Sequence, residues 1–77
     1  MRNREIKELI GLQGSLAQQL HQIRSSKQLS TERVCAETGV PMYILDNLEL
    51  GRGGINMGAV YVLAKYYGKK VRILLQD

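Results

Sequence analysis

Glycine, helped by a single proline, punctuates this chain at three internal places, and that punctuation constrains its fold more than any other feature. The breaks are Gly39-Val40-Pro41, Gly51-Arg52-Gly53-Gly54 and Gly68-Lys69-Lys70. Each is a turn or helix-stop signal. The pieces between them have the length of short helices, with no repeat, low-complexity tract or linker. A chain of 77 residues has room for one domain. The reading is therefore all-α, a compact bundle of four to five short helices.

The apolar pattern within each piece agrees. Ile6, Leu9, Ile10, Leu16, Leu20 and Ile23 follow helical spacing over residues 3–27. Gly11 and Gly14 interrupt that run, and each costs about 1 kcal/mol against alanine inside a helix. The expectation is an arm or short helix over 1–14, then a firmer helix capped by Ser15 and ending near Lys27. Ser30 can cap the next helix, which buries Val34 and Cys35 and stops at Gly39. Pro41 opens a third helix, where its missing N–H does no harm, with Ile44, Leu45 and Leu48 inward and Gly51 as the stop. A fourth spans about Asn56 to Tyr67, with Val60, Leu63, Ala64 and Tyr67 on one side. The ending Val71-Arg72-Ile73-Leu74-Leu75 reads as a strand, a final helical turn being the lesser option.

Charge narrows the partners. Net charge is +4, from 11 basic and 7 acidic residues, which favours polyanions mildly. Its distribution says more: residues 1–28 carry +3, residues 29–50 carry −3 and residues 51–77 carry +4. Any grip on phosphate must come from the flanks. One cysteine, Cys35, allows no internal disulfide, which suits a reducing compartment. No apolar run approaches the ~20 residues of a membrane span. The residues after Met1 are basic and amphipathic, unlike a secretory leader. A cytoplasmic protein is expected.

Two short helices joined by a glycine turn have the layout of a helix-turn-helix. The segment from Leu29 to Arg52 resembles the Cro/C1-type helix-turn-helix of phage repressors and their bacterial relatives. Gly39, Val40, Leu45, Leu48, Glu49 and Gly51 fall in that family's register. Arg24 falls where the family carries an arginine that pairs with the glutamate. The resemblance covers about residues 15–68 and implies a lambda-repressor-like bundle that binds double-stranded DNA as a homodimer. Thr31 stands where the family often has glutamine, Cys35 where alanine is usual, and Met42 and Tyr43 where polar or basic residues are common.

On that reading the helix over 41–50 enters the major groove with Met42, Tyr43 and Asn47 toward base edges. Asn47 can bond adenine twice, and Met42 and the Tyr43 ring suit thymine methyls. Asp46 suits a cytosine amino group, or acts by repulsion. Phosphate contacts fall to Lys27, Thr31 and Arg52, with Arg2, Arg4 and Lys7 as a basic arm. The ending resembles that of antitoxins which neutralise a kinase toxin, implying a dimer strand through Val71, Ile73 and Leu75 and a toxin as second partner.

The plainer readings run beside these. Met42 and Tyr43 also suit a protein interface. Arg24 and Glu49 are more simply a structural ion pair, and Cys35 a core side chain. His21 is a solvated histidine, and Gly51-Arg52-Gly53-Gly54 a helix stop with a loop rather than an anion nest. Lone His21 and lone Cys35 supply neither a metal set nor a catalytic constellation, so no enzyme, metal or cofactor is expected. Three functions follow: a DNA-binding repressor acting on an inverted repeat, an antitoxin-like subunit, and a protein-interaction module on the same scaffold.

Overall fold

The computed structural model describes residues 3–72, with side chains described from Gly11 onward. Among the described residues, all regular structure is helical: α1 (Asn3–Ser26), α2 (Thr31–Thr38), α3 (Met42–Leu50) and α4 (Met57–Tyr66). None of them is long and apolar enough to cross a membrane.

The expected break at Gly11 and Gly14 is absent, and Ser15 is not a cap: α1 runs unbroken through all three. The reason is tertiary. Helices in proteins draw most of their stability from packing one face, and that outweighs two unfavourable residues. Leu16, Ala17 and Leu20 turn toward the core. Gln13, between the two glycines, donates from Nε2 to the Gly53 carbonyl at 3.1 Å. Ala17 meets the turn at Gly51, whose own Cβ would sit 3.6 Å from that of Ala17.

The three later helices follow their sequence signals. Ser30 caps α2, its Oγ accepting from the Arg33 N–H at 3.1 Å. Gly39 ends α2 at φ +79°, a left-handed conformation that costs a glycine nothing. Pro41 stands one residue outside α3 with extended backbone (ψ 145°), and its carbonyl accepts the first helical N–H bonds. Asn56 caps α4 by accepting from the Ala59 N–H at 3.0 Å. Gln28 ends α1 at φ 56°, the single non-glycine residue with positive φ among the described residues.

One core holds the helices together. It comprises Leu20 from α1, Val34 from α2, Val40 from the turn, Leu45 and Leu48 from α3, and Ala59, Val60, Leu63 and Tyr67 from α4 and its end. Leu45, Leu63 and Val34 are its fully buried centre. Full burial of such a side chain is worth about 1.5–3 kcal/mol. α1 packs chiefly on α3, and α2 touches both α3 and α4. α1 and α4 stand on either side of a groove.

The described part of the ending is not a strand. Residues 69–72 carry no regular structure, and Val71 lies half-buried against the core. Ile73 and Leu75, the other residues of the expected dimer strand, lie outside the described residues.

Candidate nucleic-acid interface

The local chemistry of α3 decides which side chains it offers. Leu45 and Leu48 are pulled into the core, and Ile44 packs half-buried beside them. With successive residues turned by the helical period, Tyr43, Asp46 and Leu50 form the opposite row. Tyr43 is 68% exposed and Leu50 62%, while Asp46 between them is half-buried.

The three residues expected to read bases do not share that row. Only Tyr43 stands on it. Met42 is half-buried and leans on α2, with its Sδ 3.9 Å from Cys35 Sγ. Asn47 sits on the flank toward the loop after α3, where it lines a small cleft with Gln13, Gly51 and Arg52. Its Nδ2 is close enough that a Cβ on Gly53 would lie 3.9 Å away.

The three expected phosphate contacts divide between two junctions. Lys27 is exposed just past α1, and Thr31 is half-buried as the first residue of α2. Arg52 is exposed at the far end of α3, and its backbone N–H closes the helix on the Asn47 carbonyl at 2.9 Å. α3 itself carries no basic residue.

Arg24 and Glu49 meet as the resemblance implied. Arg24 Nε donates to both Glu49 oxygens, at 2.8 and 3.1 Å, and Nη2 to Oε1 at 2.9 Å. Nη1 donates to the Leu29 carbonyl at 2.8 Å. The Glu49 hydrogen bonds hold the guanidinium pKa above its ordinary value, against the opposing effect of burial. Cys35 is half-buried, and burial pushes its thiol up, away from the reactive thiolate.

Sequence reasoning missed three features. His21 is exposed yet not merely solvated: its Nδ1 lies 3.2 Å from Glu49 Oε1. The signal was there, since His21 precedes Arg24 by three positions on one helix face. The Tyr66 hydroxyl donates to the Glu37 carboxylate, which also takes an N–H from Arg33 at 3.2 Å. The Tyr66 bond is the main reason the Glu37 carboxyl lies below its ordinary pKa. No local pattern announces that pair, 29 positions apart. The Tyr67 hydroxyl is buried with no hydrogen-bond partner among the described residues, and burial lifts its pKa to about 12.

Comparison of the chain with models of protein families, with curated proteins and with solved structures finds no match.

Proposed function

We propose that this protein is a sequence-specific DNA-binding regulator of the Cro/C1 helix-turn-helix kind, a repressor that works as a dimer on an inverted-repeat operator. The observation that carries the reading is the relation of α2 to α3. The two are joined by the short Gly39-Val40-Pro41 turn. α3 is anchored from behind by Arg24 and Glu49, and Tyr43 and Leu50 on its outer row are exposed. A helix held in this way can enter a major groove with its first residues toward the bases. Tyr43 then contacts bases, with Met42 and Asn47 at its flanks. Lys27, Thr31 and Arg52 take phosphates on either side. In a dimer the two copies of α3 stand one duplex turn apart, ~34 Å.

The test is selection of bound duplexes from a random pool at physiological salt, followed by sequencing. Enrichment of an inverted repeat supports the proposal. Equal recovery of all sequences rejects it.

A second reading, a protein-docking surface on the same scaffold, has one observation in its favour. The outer row of α3 joins two exposed apolar side chains, Tyr43 and Leu50, to Asp46, without a cation on the helix. Aromatic and apolar groups of that kind suit a protein partner at least as well as a polyanion. If the selection enriches nothing while Tyr43→Ala abolishes capture of a protein encoded beside this chain, the second reading stands in place of the first.

A further inference from the structure

We propose that the groove between α1 and α4 binds a small amphipathic carboxylate, an acid with an apolar body and one anionic head. The groove encloses about 390 Å³, within the ~300–1,000 Å³ range of small-molecule sites. Its walls are Leu16, Leu20 and Ile23 from α1 and Val60, Ala64 and Tyr67 at α4. The segment after α4 adds Lys69, Lys70 and Arg72, all exposed. No acidic side chain lines the groove among the described residues.

Two unlike demands meet in this one place. The apolar walls exclude polar solutes, since wetting them forgoes the gain from apolar contact. The cations favour a carboxylate, with which lysine and arginine form charge-assisted hydrogen bonds. A neutral apolar molecule answers only the first demand, and a small hydrophilic anion only the second. A second copy of the chain is the poorer occupant. Self-pairing through this groove gathers the lysines and arginine of both copies at one interface, where they repel.

This inference stands apart from the DNA reading, because its test contains no DNA. The full chain, labelled with nitrogen-15, is titrated with decanoate below its micelle threshold and followed through its backbone amides. Decanol, which lacks the charge, and butyrate, which lacks the body, are run beside it. Saturable shifts at Leu16, Leu20, Val60 and Ala64 are expected with decanoate, and weaker binding with both controls. The variant K69Q/K70Q, altered only at exposed positions, should keep its fold by circular dichroism and bind decanoate about tenfold more weakly. Decanol binding as tightly as decanoate overturns the proposal, as does unchanged affinity in the double variant. Binding seen only after removal of residues 73–77 assigns the groove to the chain's own ending, and binding that splits a dimer assigns it to a second copy. Either result rejects the carboxylate site.

Discussion

Arg24 reaches from the last turn of α1 to Glu49 in the last turn of α3, and a further N–H of the same guanidinium holds the Leu29 carbonyl between α1 and α2. One side chain thus ties three parts of the backbone. The Arg24 side chain is 16% exposed and that of Glu49 7%, so the pair is largely out of water. Removing one partner of a buried pair strands the other charge, which costs about 3–5 kcal/mol. Arg24→Met should lower stability by about 3 kcal/mol, read as the shift in a urea unfolding curve. The double variant R24M/E49L should recover much of that loss, because an apolar pair of similar volume needs no solvation. A double variant no more stable than Arg24→Met would show that the ion pair itself is required.

The glycines of α1 sit where alanine fits. A Cβ at Gly11 or Gly14 would meet nothing within 4 Å. Gly11→Ala and Gly14→Ala should each raise stability by about 0.5–1 kcal/mol, through helix propensity and a less free unfolded chain. Thermal unfolding followed by circular dichroism measures this, and a lower melting temperature in either variant would contradict the unbroken helix.

Gln28 presents the reverse case. Its φ of 56° is one that glycine adopts freely and a side chain resists, at roughly 1–2 kcal/mol. Gln28→Gly should therefore stabilise. Gly39→Ala, imposed at φ +79°, should destabilise by about 1 kcal/mol. Chemical denaturation of both variants reads the two signs in one experiment.

The Tyr67 hydroxyl makes stability fall in alkali. Its pKa is raised to about 12 in the folded protein, against about 10 for an unfolded tyrosine. The neutral phenol is thus favoured by folding. That contribution is whole below pH ~10 and is lost as pH rises toward the folded value, by about 3 kcal/mol in all. Tyr67→Phe should remove this dependence, and near neutral pH it should cost little, since no hydrogen bond is broken among the described residues. Urea midpoints between pH 8 and 11 decide it: a Tyr67→Phe curve parallel to that of the parent would refute the assignment.

For the proposed operator complex, base and phosphate contacts separate by their response to salt. Lys27→Ala and Arg52→Ala should weaken binding to all duplexes alike, and each should lower the salt slope by about one. Tyr43→Ala should alter which duplex is preferred while leaving the unfolding curve unchanged, because Tyr43 is 68% exposed. Fluorescence anisotropy at several salt concentrations distinguishes these outcomes. A Tyr43→Ala variant with parental sequence preference would remove α3 from the base-reading role.

The parts legible in the sequence were those written in local signals. Ser30, Gly39, Gly51 and Asn56 announce helix ends through their own chemistry, and the inward positions of α3 and α4 follow from period alone. The Arg24–Glu49 pair was legible through register with a known pattern. The length of α1 was not, because what rescues Gly11 and Gly14 is contact with the distant Gly51–Gly53 loop. Asn47 was assigned to the bases from its helix and its hydrogen-bonding groups. Its lean toward that loop depends on how α1 covers the end of α3. Met42 likewise turns to Cys35, a choice made by packing that no spacing records.

The outer row of α3 bears on how such a chain can change over generations. Tyr43 and Leu50 lie outside the core cluster, and Asp46 is no part of it. Substitutions at Tyr43 and Leu50 are therefore close to neutral for folding. In the proposed regulator the helix can drift in what it recognises while the scaffold beneath stays under separate selection. New specificity is then reachable by single steps that never pass through an unfolded ancestor.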